Sequence, residues 1–334
     1  MNILLTSVGR RSYLVDYFKD AMGLKGKIIA TNSTYTHGLS RADEWALTPI
    51  IYSEEYIPFL LEFCEKKSIV AILSCFDIDL PILAKNKDIF AEKGVTFIGP
   101  SYETALIGND KLKTFEFFMK VGLKTPRTYF DYDEVLRLLE SNEISFPLVL
   151  KPRWGMGSIA VYIVRTMDEL VVLYKKSKYE IQNSYLKYES NSDIDRSIVI
   201  QEFIDGQEYG LDIYKDLSGN YISAIAKKKV AMRSGETDIG EIVDINIFED
   251  FIQGLADNLD FTGILSFDCF LAGETVYGIE INPRISGHYP FSHIAGANYP
   301  QQLIQWLEAG QTDTSLLTSK VGIKGCKELV PIVM

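Results

Sequence analysis

The sequence predicts an α/β protein in two units: an open parallel sheet with helices on both faces, then a two-part α+β unit that turns strand-rich toward its end. Strand-like and helix-like segments alternate through the first ~100 residues, as the crossovers of a parallel sheet require. Gly99 and Pro100 then punctuate the chain, and after Arg196 strand follows strand. A length of 334 residues with 47% hydrophobic content supports about two domains.

The elements follow in order. MNILLTS is a short apolar strand ending at Gly9, and RRSYLVDYFKDAM has helical periodicity, with Tyr13, Leu14, Tyr17, Phe18 and Ala21 sharing a face. KIIAT is the next strand, EEYIPFLLEFCEKKS a helix, VAILSC a strand, DLPILAKNKDIFAEKG a single helix and VTFIG a last short strand. Such a sheet binds ligands at the carboxyl ends of its strands, here Ser7 to Arg11, Thr31 to Ser33 and Phe76 to Asp79. The first turn, TSVGRRSY, has one glycine and lacks the GxGxxG of a dinucleotide site. Arg10 and Arg11 suit a carboxylate, and Asp77 and Asp79 an amine, which together suggest an amino acid or small peptide; the bland alternative is surface charge.

A helix is expected from about Asp110 to a stop at Gly122, with Pro126 before a new strand, so the domain boundary is set at 104/105. Beyond it come strand, helix, two strands and a helix over MDELVVLYKKS; residues 180–196 are polar and aperiodic, a loop. SIVIQEFI, QEYGLDIYKD and YISAIAKKKVAM read as strands, INIFEDFIQGLADNLD as a helix, and GILSFDCFLAG with ETVYGIEINPRIS as an antiparallel hairpin turning at Gly273.

Composition excludes several classes. A net charge of −11 opposes general nucleic-acid binding, which needs a basic face. No apolar run approaches the roughly 18 to 20 residues of a membrane span and the first residues read as a strand, not a signal peptide, so a cytoplasmic location is expected. Cys64, Cys75, Cys269 and Cys326 lack CxxC spacing and are expected to be buried thiols.

Two constellations suggest chemistry. In LVLKPRWGMGSIAVYIV, residues 148–164, Lys151 ends an apolar strand and a glycine loop follows, an arrangement suited to polyphosphate because glycine amides approach an anion closely beside a point charge. Glu280 and Asn282 are two apart on a strand and share a face, and Asp268 can meet them from the hairpin partner. Three oxygen donors flanked by Leu265, Phe267, Phe270, Ile279 and Ile281 suit a hard divalent cation such as magnesium. Arg284, at the strand end, offers a planar fork for phosphate or carboxylate oxygens.

Lys111 in GNDKLKT, Lys151 in LVLKP, the GMGS loop, IQEFIDGQEYGLDIY, SFDCF and GIEINPRISG occur in an order that resembles the ATP-grasp superfamily. The likeness is nearest to the synthetase domains of the carbamoyl phosphate synthetase large subunit, with D-alanine:D-alanine ligase and biotin carboxylase more distant. It covers nearly the whole chain and implies a pre-ATP-grasp domain over 1–104 and an ATP-grasp domain over 105–334, with a lid at about 125–200 and a catalytic part at about 201–334. It further implies that Lys111 and Lys151 face ATP phosphates, that Gly155, Met156, Gly157 and Ser158 form the lid loop, and that the segment of Gln201, Glu202, Phe203 and Ile204 reads the adenine through its backbone. Glu208 matches the ribose-binding carboxylate; seven residues after Gln201, it needs a turn at Asp205 and Gly206 to return to the same side. From AKKKVAMRSGETD the resemblance places Lys229 or Arg233 near the γ-phosphate or acyl phosphate, against the alternative of a solvated basic face. His288 and His293 follow the NPRISG motif and would line the acceptor pocket or serve as structural histidines.

The activity so implied is ATP- and Mg2+- (or Mn2+-) dependent carboxylate–amine ligation through an acylphosphate, with Arg284 stabilising the oxyanion. Small-molecule acids and amines are the expected partners, amino acids among them, and a homodimer the assembly. The alternatives are a bicarbonate-activating enzyme like the carbamoyl phosphate relatives and a non-catalytic nucleotide-binding protein.

Overall fold

Three sheets organise the computed structural model, which describes residues 1–333. The first is parallel, with β1 (Asn2–Thr6), β2 (Lys27–Asn32), β3 (Glu44–Leu47), β4 (Ile69–Ser74) and β5 (Thr96–Phe97) in the order β3-β2-β1-β4-β5. Ile3, Leu4 and Leu5 are all buried because helices cover both faces of β1. On one face lies the helix Ser12–Met22, which buries Leu14, Val15, Phe18, Ala21 and Met22 and leaves Tyr13 and Tyr17 at the margin. That core continues into Leu303, Ile304 and Trp306 of the helix Tyr299–Ala309, so the first sheet and the far end of the chain share one interior.

Some elements differ from expectation. DLPILAKNKDIFAEKG forms two helices, Asp79–Lys85 and Lys87–Glu92, broken at Asn86, whose side-chain amide donates to the Ile82 carbonyl at 2.8 Å. β3, the short helix His37–Arg41 and the helix Tyr102–Asn109 are additional. Cys64, Cys75 and Cys269 are buried but Cys326 is exposed, which corrects the expectation for that thiol.

The second sheet is antiparallel: β6 (Thr128–Tyr129), β7 (Leu148–Pro152), β8 (Tyr162–Val164) and β9 (Ile198–Glu202), in the order β6-β9-β7-β8. The helices Tyr132–Glu140 and Met167–Gln182 cover one face over Leu148, Leu150 and Ile200, so Val149, Lys151 and Gln201 point to the other. β9 straddles residue 200, so this sheet runs two residues past the expected lid limit. Residues 180–196 hold the end of the second helix and a short helix, Lys187–Ser190, instead of loop alone. They also reach the first unit: Tyr185 meets Phe76 edge-on at 6.2 Å, Tyr188 stacks on Tyr52 at 4.7 Å, and the Tyr52 hydroxyl donates to Glu189 at 3.0 Å.

The third sheet comprises β10 (Gln207–Lys215), β11 (Tyr221–Arg233), β12 (Glu236–Val243), β13 (Gly263–Ala272), β14 (Thr275–Asn282) and β15 (Lys324–Cys326), in the order β14-β13-β10-β11-β12-β15 with every pair antiparallel. β12 was not expected; it returns along β11 after a tip at Ser234 and Gly235 in left-handed conformation, φ +49° and +78°. Asp205 and Gly206 do not form a simple turn: the chain leaves the second sheet at Glu202 and enters the third at Gln207. The odd spacing between Gln201 and Glu208 is therefore resolved by a change of sheet.

Candidate active site

Alternation along the strands gathers polar groups on one face of the third sheet. Asp268 lies opposite Glu280, Ser266 opposite Asn282, Gly210 opposite Asp268, and Glu208 opposite Phe270. The other face carries Phe267, Cys269 and Ile281, packed in a core with Phe118 and Phe251. Phe270, partly buried beside Glu208, is a site residue the sequence reading placed only among the apolar neighbours; its position two residues after Asp268 was the available signal.

Asp268, Glu280 and Asn282 come together. The Asn282 amide donates to Asp268 Oδ2 at 3.4 Å, and Glu280 Oε1 accepts from Lys111 Nζ at 3.1 Å. Lys229 Nζ lies 2.7 Å from Glu208 Oε1 and 2.7 Å from Asp268 Oδ1, an ammonium shared by two carboxylates. Burial opposes the charge on Lys229, but Asp268 and Glu208 outweigh it and hold the ammonium above its ordinary value. Burial likewise works against the Asp268 carboxylate, yet Lys229 and then His288 hold it well below the usual range. Glu208 moves the other way: desolvation raises it despite Lys229.

These donors fit a hard cation. All are oxygens, and two positive side chains, Lys111 and Lys229, already sit on the carboxylates, so the structure itself shows where positive charge is stabilised. Among the described residues no three His, Cys, Asp or Glu side chains are grouped to hold a metal, so a third donor here has to be an amide such as Asn282.

The glycine loop approaches from the second sheet. Lys111 Nζ donates to the Gly155 carbonyl at 2.7 Å, joining the loop to Glu280 through one ammonium. Gly157 and Ser158 have φ +62° and +57°, and they rest on the β11–β12 tip: a Cβ on Gly235 would stand 2.8 Å from the Gly157 carbonyl carbon and 2.8 Å from Ser158 Oγ. Met156 lies between these glycines, partly buried. Lys151, 6% exposed, donates to Gln201 Oε1 at 2.8 Å, and Gln201 Nε2 donates to Thr128 Oγ1 at 2.8 Å. Burial, reinforced by Lys111 and opposed by Glu280, lowers the Lys151 ammonium to about 7.

The adenine-reading segment is placed unevenly. The Gln201 side chain is taken up by Lys151 and Thr128, and Glu202 turns its carboxylate to the opposite sheet face, where Oε2 accepts from the Arg127 amide at 3.2 Å and lines a 140 Å³ cavity. The backbone of Gln201 is paired to β6 and β7, and the Glu202 amide donates to the Arg127 carbonyl at 2.8 Å. Just beyond β9, the amides of Phe203 and Ile204 have no backbone partner among the described residues.

Several charged residues behave differently from their sequence reading. Arg233 pairs with Asp238 at 2.7 Å across the hairpin and is 46% exposed, out of contact with the acidic group. Arg284 is ion-paired with Asp77 of the first unit and also donates to the Ile285 carbonyl at 3.0 Å; burial would lower it, but Asp77 outweighs this and raises it. Asp79 is no amine receptor: it is fully buried and accepts from Thr6 at 2.5 Å, Ser7 at 3.0 Å, Ser74 at 2.8 Å and Tyr56 at 2.8 Å. Arg11 donates to the Ile285 carbonyl at 2.8 Å, and burial with nearby Arg284 lowers its guanidinium. Asp77 Oδ1, Arg284 Nε and Tyr13 Oη are buried with no hydrogen-bond partner among the described residues. His293 stacks on Tyr17 at 3.7 Å and meets the Tyr289 hydroxyl at 3.2 Å, a structural role. His288 is buried beside Asp268, with burial first and then Lys227 lowering it to about 4.

One anchoring group was missed entirely. Arg153, just after Lys151, makes a bidentate pair with Asp110, Nε to Oδ1 at 2.7 Å and Nη2 to Oδ2 at 2.8 Å, and reaches Asp193 at 3.0 Å. Asp110 also caps the helix Lys111–Lys120, accepting from the Leu112 amide at 2.9 Å, so one carboxylate fixes Lys111 and the root of the glycine loop together.

Residues 3–98 match a family model described as a PylC-like N-terminal domain, and residues 108–288 match one described as an ATP-grasp domain. The carbamoyl phosphate synthase large chain of Thermoanaerobacter sp. (strain X514) is 23% identical over 282 residues, covering 80% of this chain; this chain spans only 24% of that protein. Among solved structures, the biotin carboxylase domain of Hydrogenobacter thermophilus 2-oxoglutarate carboxylase superposes with a TM-score of 0.73 at 16% identity, over 96% of this chain and 73% of that one. The L-amino acid ligase of Bacillus licheniformis gives 0.72 at 20% identity, over 92% and 75%. The polar sheet face, the glycine loop above it and the match over residues 108–288 make this chain a member of the ATP-grasp family.

Proposed function

We propose that this chain is an ATP-dependent ligase that joins a carboxylate to an amine. The observation that carries this reading is the convergence of Asp268, Glu280 and Asn282 on one sheet face, with Lys111 bridging Glu280 to the loop at Gly155. Asp268, Glu280 and Asn282 would hold magnesium or manganese, which supplies neutralising charge at the β- and γ-phosphates. Lys111 and Lys151 bind those phosphates, and Gly155 to Ser158 exclude water from the reacting groups. The backbone from Gln201 to Ile204 receives the adenine, and Glu208 the ribose hydroxyls, with Lys229 orienting it. Lys229 is better placed than Arg233 to meet the γ-phosphate, since Arg233 lies out of contact with the acidic group.

A substrate carboxylate oxygen attacks the γ-phosphorus, the bond to the ADP oxygen breaks, and an acylphosphate forms. The amine nitrogen then attacks the acyl carbon, gives up a proton, and phosphate departs with its bonding electrons. Arg284 faces the developing oxyanion. The unpartnered Asp77 Oδ1, Arg284 Nε and Tyr13 Oη, gathered where the first sheet's loops meet Arg284, support a small polar substrate bearing both charges, such as an amino acid. The L-amino acid ligase of like fold is consistent with that class.

Glu280→Gln tests the reading: ADP release should vanish while the melting curve stays cooperative, and unchanged ADP release would refute the cation assignment. A phosphate-release screen over pairs of amino acids and small acids, with mass spectrometry of the product, identifies the substrates. Light scattering checks the expected homodimer.

A further inference from the structure

Deeper on the same sheet face lies a group of side chains that no step above uses. Asp212 of β10 and Lys227 of β11 are fully buried and ion-paired. Ser292 Oγ donates to Asp212 Oδ2 at 2.7 Å, Ser266 Oγ donates to Oδ1 at 2.9 Å, and Lys227 Nζ donates to Ser292 Oγ at 2.9 Å. The imidazole of His288 spans the gap from this group to the candidate cation site. Its Nδ1 is 3.5 Å from Asp212 Oδ1 and its Nε2 is 3.5 Å from Asp268 Oδ1.

Gly210 makes that position available. It sits between Glu208 and Asp212 on β10, opposite Asp268, and a Cβ there would stand 2.6 Å from His288 Cδ2 and 2.7 Å from Nε2. Any other residue at 210 would displace the ring, so the imidazole lies on bare backbone between two carboxylates. Asp212 is itself fixed by three donors and cannot follow a movement of the ring. Neither ring nitrogen has a hydrogen-bond partner among the described residues, and Asp268 Oδ1 faces Lys229 Nζ at 2.7 Å on its other side, so packing holds the ring against the carboxylate.

We propose that His288, backed by Asp212 and seated on Gly210, is a positioning residue that sets the orientation of the Asp268 carboxylate; this rests on the reading of Asp268 as a cation ligand. Outer partners of ligating groups fix their orientation, and losing one lowers metal affinity or activity about 10–100-fold.

The test uses the full chain with ADP. Mn2+ binding is followed by the loss of its free electron paramagnetic resonance signal, alongside the Mg2+ concentration for half-maximal turnover and a thermal melt. His288→Ala and Gly210→Ala should each weaken Mn2+ binding about tenfold or more, and His288→Gln, which keeps a polar terminus near Nε2, should recover part of the loss. The double variant Gly210→Ala with His288→Ala should bind Mn2+ no worse than His288→Ala alone, because the three atoms nearest a Cβ at 210 all belong to that ring. If Gly210→Ala fails to fold, the double variant, which removes the clash, should fold, and its failure counts against the proposal. Mn2+ affinity within twofold of wild type in His288→Ala, or equal losses in His288→Ala and His288→Gln, would overturn it. Asp268→Asn separates the two readings: retained Mn2+ binding there sinks the cation assignment itself, whereas its loss beside an unaffected His288→Ala sinks only the positioning role.

Discussion

Lys151 is 6% exposed, and burial lowers its ammonium to about 7, so in nucleotide-free protein at pH 8 about nine in ten molecules carry it neutral. A phosphate charge about 4 Å away is worth about 4 kcal/mol at an effective dielectric of about 20, or about three pH units, enough to return the amine to its charged form. Nucleotide binding should then take up about 0.9 proton at pH 8, about 0.5 at pH 7 and about 0.1 at pH 6 through this residue. Calorimetry of Mg-ADP binding in buffers of different ionisation enthalpy reads the number directly. The quantity of interest is wild type minus Lys151→Arg, because arginine stays charged and cancels protons released by the nucleotide. A difference that stays flat from pH 6 to 8 would refute both the buried neutral lysine and its role at the phosphates. The same shift has a stability consequence with a definite sign. The unfolded chain, with the ordinary value of 10.5, binds more protons than the folded one between about 7 and 10.5, so nucleotide-free stability should rise with pH in that window, and less so in Lys151→Met.

Three further outcomes are expected. Gly235→Ala combines left-handed backbone with a 2.8 Å approach to the Gly157 carbonyl carbon, and should raise the KM for ATP several-fold and speed proteolysis within residues 155–160; unchanged cleavage would show that the tip does not support the loop. Lys227→Met leaves Asp212 charged and buried, and should lower unfolding free energy in urea by about 3–5 kcal/mol, most of which a second change, Asp212→Leu, should restore. Equal stability of the single and double variants would contradict that. Arg153→Lys loses the bidentate pair to Asp110 and should lower kcat about tenfold or more, through misplacement of Lys111, with little change in melting temperature. An unaltered kcat would sever that link.

Much of this architecture could be read in advance because burial on both faces leaves continuous apolar runs, as in NILLT and KIIATN, and because half-buried strands alternate. Period two puts Glu280 and Asn282 on one face, and the hairpin turning at Gly273 brings Asp268 to meet them. The misses have physical causes. β12 begins in RSGETD, a polar tip whose pairing with β11 is a long-range fact, and β3 is an edge strand that exposes Trp45 and Leu47 and so lacks an apolar face toward a core. Local pattern in AKKKV leaves a solvated face open beside the reading of Lys229 at a phosphate, yet Lys227 and Lys229 both point inward with Lys228 between them, because Asp212, Glu208 and Asp268 wait on the neighbouring strands. Partners brought from strands distant in sequence decide whether a charge is buried, and local pattern carries no record of them. The same applies to Arg284, whose ion pair joins residues 207 positions apart.

The contacts of Tyr185, Tyr188 and Glu189 with Phe76 and Tyr52 give the second sheet a foothold on the first unit, more than 100 residues upstream. On the proposed reading, lifting that sheet to exchange ADP would peel these rings apart in the same stroke, just past the end of β4, where Phe76 and Asp77 lie. Departure of spent nucleotide and uncovering of the acid's berth would, on that reading, share one gate, with Tyr185 and Tyr188 as its latch.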